Sequence, residues 1–187
     1  MPESNLDQAY LRIIDFLEKG RVPYLIIGGL SIGVIGEARV TQDIDLIIFI
    51  KKSELKAFLK KASNKGFTFE EQKVLDDADK TGAIRFYYKD VWIDMILSST
   101  ELEESALKRR KIIKLFKRMA CFPSPEDLIL LKLIPGRKKD ILDAESIVIR
   151  HGKNLDRKYL KYWAQKICDE MEDMRVWKEL QELLKVK

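Results

Sequence analysis

At 187 residues the chain is long enough for one ordinary domain, or a compact core with a helical appendage, and too short for two full-sized units. Its 46% hydrophobic and 35% charged residues, with no apolar run of bilayer-crossing length, describe a soluble globular protein and exclude a membrane partner. The net charge of +5 arises wholly in residues 101–187, which hold 21 basic and 15 acidic side chains, an excess that suits either RNA and nucleotide phosphates or a solvated surface.

The start, MPESNLDQ, lacks a basic-then-apolar signal pattern, so a cytoplasmic location is expected. Residues 5–19 place Leu6, Ala9, Tyr10, Ile13, Ile14 and Leu17 at helical spacing and stop at Gly20. Residues 22–27 form a short apolar run ending at Gly28-Gly29, which predicts a buried strand delivering the chain to a tight turn. A short helix over 30–35 follows. The second strand is expected over 41–50, then a helix capped by Ser53 and running to about residue 63. Residues 67–74 alternate as a strand, and DDADKTG after them has the composition of a solvated loop. Residues 83–88 and 91–97, separated by Lys89-Asp90, read as an antiparallel hairpin. A charged helix over 101–111 and a second hairpin around Lys117 come next. Ser124 caps a helix with proline and acids in its first turn, which ends near Pro135-Gly136. Further helices are expected over 137–150, 156–171 and through Trp177 to Leu184. Cys121 and Cys168 lie in different elements, and with His151 as the single histidine a structural zinc site is not expected. Both thiols read as buried small hydrophobes.

The chemistry is concentrated in the strand TQDIDLIIFI, where residues two apart face the same way, so Asp43 and Asp45 lead a row completed by Ile47 and Phe49. Attachment points about 6.8 Å apart make two bare carboxylates repel by roughly 2 kcal/mol at an effective dielectric near 20. A hard cation such as magnesium relieves that, since it takes carboxylate oxygens and retains sites for water and phosphate. VWIDMIL adds Asp94, on the face of Trp92 and Ile96 and opposite Val91, Ile93 and Met95. Beside the Asp43 strand it would complete a two-metal site or act as base toward an attacking hydroxyl. As a bare sequence feature it is equally a surface acid on a half-exposed strand. Upstream, Gly28-Gly29 let backbone approach phosphate oxygens at a helix start, although a glycine pair alone is an ordinary turn.

Glycine pair, fixed gap, Asp-x-Asp and a separate strand acid together resemble, over residues 24–97, the nucleotidyltransferase superfamily of DNA polymerase beta, transfer-RNA CCA-adding enzymes and antibiotic nucleotidyltransferases. GEARVTQDID, SPEDLILLKL and GRKKDILDAESI extend a likeness over residues 20–150 to the prokaryotic abortive-infection type (AbiEii-like), some of which are toxins of toxin–antitoxin pairs. The resemblance implies an α/β (α+β) nucleotidyltransferase fold, a mixed β-sheet flanked by helices. Residues 1–122 would form the core, with a C-terminal helical bundle over 123–187 packed on it. It implies that Gly28 and Gly29 cradle the triphosphate, and that Asp43, Asp45 and Asp94 are catalytic and hold Mg2+ or Mn2+. Lys132 and Arg137 would lie near the nucleotide, ATP or CTP. Many members carry serine where Gly29 stands, and Ser31 is the nearby hydroxyl that remains.

Arg39 and Thr41 precede the acids on the same side. Arg39 fits either a two-pronged phosphate contact or a salt bridge to Glu37 or another neighbour. Lys132, in the apolar run LILLKLI, needs an anionic partner or must snorkel to water. Lys139 and Asp143 fit a helix-surface pair. The run LKRRKIIKLFKR over 107–118 holds seven basic residues and suits either an RNA (tRNA) acceptor or a solvated face.

The reading is a metal-dependent transfer of a nucleoside monophosphate to a hydroxyl of RNA, protein or a small molecule, with an antitoxin protein as a further partner. The alternatives are a non-catalytic nucleotide- or partner-binding member of the same fold, and a general RNA-binding protein. No residue in the sequence selects the base or the acceptor.

Overall fold

A computed structural model describes residues 4–185; the first three residues of the MPESNLDQ start and the last two of the chain lie outside the described residues. The chain divides into two compact units, one of the described residues up to Leu30 with Val40–Phe122, the other of Ser31–Arg39 with the described residues from Pro123 onward.

The first unit is built on a four-stranded mixed sheet in the order β1-β2-β4-β3, from β1 (Tyr24–Ile27), β2 (Asp43–Ile48), β3 (Ala83–Tyr88) and β4 (Val91–Leu97). β1 runs antiparallel to β2, β2 parallel to β4, and β4 antiparallel to β3. Alternation gives the sheet two unlike faces. Ile44, Leu46 and Ile48 of β2, Ile93, Met95 and Leu97 of β4, and Ile84 and Phe86 of β3 are buried on one. Against that face stand α1 (Asn5–Lys19) and α3 (Leu55–Ser63), with Phe16, Phe58, Phe67 and Phe86 in ring contact. The opposite face carries Asp43, Asp45, Asp94, Trp92, Ile96, Arg85 and Tyr87.

Local signals place most elements. Ser4 accepts from the Asp7 amide at the start of α1. Lys89 takes φ +53 in the β3–β4 turn, and Phe116 and Lys117 are both left-handed between β5 (Lys111–Leu115) and β6 (Arg118–Phe122). Thr100 and Glu103 form a capping box that opens α5 (Glu101–Lys108).

Three expectations need correction. Residues 67–74 are not a strand and DDADKTG is not a loop: only Thr68 bridges Tyr87, and Glu71–Thr81 is a helix, α4. Val74 and Ala78, four apart, supply its buried stripe, Gln72 bonds Asp76 one turn on, and Gly82 ends it at φ +70. Ser53 does not cap the next helix. It lies inside a 3-10 turn, Lys52–Glu54, where the Glu54 carboxylate accepts from the Lys51 amide. Cys121 is only half-buried, on β6, whereas Cys168 is buried; burial raises the Cys121 thiol, partly offset by Arg110.

The second unit is helical. α2 (Gly28–Ile35) begins in the first unit and passes into this one, which also holds α6 (Pro125–Leu133), α7 (Lys138–His151), α8 (Arg157–Met171) and α9 (Arg175–Leu183). Ser124 accepts from the Asp127 amide at 3.2 Å with proline in the first turn of α6, as its sequence predicts. Asp156 accepts from the amides of Lys158 and Tyr159 to open α8. No helix among the described residues is long and apolar enough to cross a membrane.

Candidate active site

β2 and β4 lie side by side in parallel register, which pairs Asp45 with Asp94 and Asp43 with Trp92. Strands about 4.8 Å apart bring the Asp45 and Asp94 attachment points onto adjacent positions of the same face. All three acids are half-buried on one face of the sheet, where Ile47 and its partner Leu25 farther along are buried. The glycine bend meets them through the β1–β2 register, because Ile27 is paired with Asp45 and Gly28 is the next residue. Gly28 takes φ +68, and a Cβ placed there would overlap the Asp45 carboxylate. Gly29 is constrained by space instead: a Cβ there would meet Thr41 Oγ1 at 2.5 Å. Thr41 in turn donates to Asp43 Oδ1 at 2.5 Å. Gly28, Gly29, Thr41, Asp43, Asp45 and Asp94 are thus brought together.

Arg85 was not singled out from the sequence. It lies opposite Asp94 across the β3–β4 hairpin and grips it in a two-pronged pair, Nε to Oδ1 and Nη2 to Oδ2, the latter at 2.8 Å. That hydrogen bond to Asp94 is the main cause of a guanidinium pKa above its ordinary value, burial opposing it. A signal was present: a two-residue turn at Lys89-Asp90 pairs Tyr88 with Val91, and counting back along both strands pairs Arg85 with Asp94. Arg85 also lies 4.5 Å over the Trp92 ring. A cleft of about 660 Å³ opens beside Asp94 over β3 and β4, with α4 as its wall.

Arg39, Lys132 and Arg137 come together inside the helical unit. Lys132 is buried and reaches Asp143 at 2.8 Å and Asp140 at 3.3 Å. Arg39 holds both Asp143 oxygens, at 3.0 and 3.2 Å, and Arg137 holds Asp140 at 2.5 Å. The bridge of Arg39 therefore runs to a residue 104 positions away, not to Glu37. Asp143 is correspondingly not half of a surface pair with Lys139, because it points inward to Arg39 and Lys132. Burial alone would raise the Asp143 carboxyl, but hydrogen bonds from Arg39 and Lys132 outweigh it and hold the group below its ordinary value. Asp140 and Asp143 were legible only as helix acids, since nothing local marks them as buried. Ser31 is also buried in this unit, and its hydroxyl finds no hydrogen-bond partner among the described residues.

Divalent metal is the group this arrangement implies. Hard carboxylate oxygens on one sheet face, two of them in register, are the donor set a hard cation takes. Among the described residues no three acidic, cysteine or histidine groups already stand as a cation cluster. The reason is visible in the partners: Asp94 is committed to Arg85 and Asp43 to Thr41. The residues fit a metal in kind and in register, provided Asp94 exchanges its guanidinium partner.

The chain is similar to known proteins over most of its length. Residues 5–186 match the family model described as "Nucleotidyltransferase of unknown function (DUF6036)". The antibiotic-resistance factor ANT(2'')-Ia is similar in structure at TM-score 0.60 and 15% identity, over 89% of this chain and 95% of that one. An antigenic nucleotidyltransferase-like protein from Paracoccidioides brasiliensis gives 0.55 and 16%, over 98% and 93%. The lincosamide antibiotic adenylyltransferase LnuA, lincomycin-bound, gives 0.52 and 14%, over 77% and 96%. At such identities these likenesses establish the fold, a nucleotidyltransferase-type mixed sheet with helices. Comparison with curated protein sequences gave no match.

Proposed function

The chain belongs to the DUF6036 family of nucleotidyltransferases, and from that membership we propose that it moves a nucleoside monophosphate from a nucleoside triphosphate to an acceptor hydroxyl at Asp43, Asp45 and Asp94. The observation that carries this reading is the parallel register that sets Asp45 beside Asp94, with the Gly28 backbone pressed against Asp45.

Each residue then has a task. Gly28 and Gly29, bare of side chains at the start of α2, offer backbone amides to phosphate oxygens. Asp43 and Asp45 would hold Mg2+ or Mn2+, with Asp94 as the third carboxylate. Bound metal supplies charge neutralisation at the attacking and leaving oxygens. Thr41 fixes the Asp43 carboxylate by its 2.5 Å hydrogen bond. Asp94, once off Arg85, accepts the proton of the acceptor hydroxyl at a carboxylate oxygen. The acceptor oxygen bonds to the α-phosphorus as the bond to the pyrophosphate oxygen breaks. LnuA is an adenylyltransferase seen with a small antibiotic, which favours ATP as donor and a small hydroxylated acceptor here.

Transfer of label from α-labelled ATP or CTP, in magnesium or manganese, tests the proposal on wild type and Asp45→Ala. Loss of transfer in the variant is expected; equal transfer by both refutes metal ligation at Asp45. A second reading, a non-catalytic nucleotide-binding member of the family, is favoured by one observation, the two-pronged hold of Arg85 on Asp94. Calorimetric titration with magnesium and ATP followed by a turnover assay separates the two. Tight binding without turnover on nucleic acid, protein or small-molecule acceptors selects the second.

A further inference from the structure

We infer that the cleft beside Asp94 is a binding pocket for a small, hydroxyl-bearing ring compound, neutral or cationic, and that this compound is the acceptor. The word acceptor rests on the proposed transfer reaction; the pocket itself does not.

The floor is the open face of β3 and β4. Trp92 and Ile96 project from it, one near each end of β4, with 38% and 40% of their surface exposed, although the other face of the sheet is packed. The Trp92 ring is held by two neighbours: its centroid is 3.7 Å from that of Tyr87, and the Arg85 guanidinium lies over it at 4.5 Å. An aromatic fixed in this way is a stacking platform that loses little freedom when a flat ring settles on it. A volume of about 660 Å³ falls within the range of small-molecule sites.

Charge chooses among flat-ringed ligands. Arg85 and Asp94 neutralise each other within the floor. What remains around the cleft is Lys73 against Glu70 and Asp77, an excess of one acid. Such a rim disfavours a phosphodiester strand, whose binding depends on paired lysines and arginines, and accepts a neutral or amino-bearing ring. Asp94 itself lines the cleft, so a hydroxyl on a ring stacked over Trp92 comes beside the carboxylate that takes its proton in the proposed reaction.

The test uses the full chain without nucleotide and three probes of one shape: phenyl glucoside, its amino-sugar counterpart and its uronic-acid counterpart. Binding is followed by ligand-observed NMR. The neutral and amino probes are expected to bind, and the acidic one about tenfold more weakly. Trp92→Ala, at an exposed position, should weaken all three by about tenfold or more. Asp77→Lys, on the wall of α4, should reverse the charge preference without touching the platform. Failure of all three probes to bind, binding indifferent to Trp92→Ala, or tightest binding by the acidic probe overturns the pocket. Displacement of the probes by a short oligoribonucleotide overturns it in favour of RNA. Probe binding that obeys these expectations, with no label transferred from any nucleotide to the bound probes, leaves the pocket standing and counts against its occupant being the acceptor. Loss of the pocket with Asp45-dependent transfer intact does the reverse.

Discussion

Replacing Lys132 by methionine separates scaffold from substrate binding at a residue the family resemblance assigns to the nucleotide. The side chains of Lys132, Asp140 and Asp143 are all less than one-tenth exposed, and the ammonium lies 2.8 Å from Asp143 and 3.3 Å from Asp140. Methionine keeps an unbranched stem and removes the ammonium with its charge and its hydrogen bonds to Asp140 and Asp143. Breaking a buried ion pair from one side costs about 3–5 kcal/mol, because the partner is left without compensation. Here each carboxylate keeps an arginine, Arg39 on Asp143 and Arg137 on Asp140, so the lower end applies, about 3 kcal/mol. For a chain of this size that lowers the melting temperature by about 6–12 °C. Urea unfolding and thermal melts of both proteins measure it. Asp143 adds a pH signature: its folded carboxyl lies below its ordinary 3.8, so the network's contribution is present above that value. It is lost as pH falls through the depressed folded value, and the gap between wild type and variant should shrink there. A loss under about 1 kcal/mol, the range of an exposed pair, with transfer abolished, refutes the scaffold argument and returns Lys132 to the nucleotide.

Gly28→Ala places a Cβ in the space of the Asp45 carboxylate at φ +68. It should cost about 1–2 kcal/mol in backbone strain and abolish transfer, whereas an active variant in a transfer assay refutes the close approach. Arg85→Gln removes the two-pronged hold on Asp94, a partly exposed pair worth about 1 kcal/mol. Magnesium affinity measured by calorimetry should rise by about fivefold, and an unchanged or weaker affinity would mean that Arg85 does not compete with metal.

Much of the fold was readable because its signals are local. Ser124 before Pro125, the two-residue turn at Lys89-Asp90 and Gly20 after Lys19 each act within a few residues of themselves, and the structure has them where the chain suggests. α4 was misread because its buried stripe is only Val74 and Ala78, and the polar remainder has the composition of a loop. The acid-bearing face was equally legible, since a period of two puts Asp43 with Asp45 and Asp94 with Trp92. What the period cannot supply is which strand neighbours which. The pairing of Asp45 with Asp94 comes from a parallel crossover of some forty-odd residues, and no residue within either strand encodes it. The same holds for Asp143, whose burial follows from Arg39 arriving from 104 positions upstream.

The two glycines show how a sequence motif is held together by space and not by spacing. Gly28 is required twice over, by its left-handed backbone and by the carboxylate it faces. Gly29 has no such conformation; it is glycine because Thr41 already fills the volume a side chain would use. Thr41 spends its hydroxyl on Asp43, so a larger residue at 29 would disturb a metal-ligand candidate two steps away without touching it. Serine at 29, common in the resembling superfamily, and threonine at 41 therefore compete for one site on the first unit. In this chain the threonine, two residues before the first acid, occupies that volume. Ser31, the other nearby hydroxyl in the sequence, is wholly buried and has no hydrogen-bond partner among the described residues.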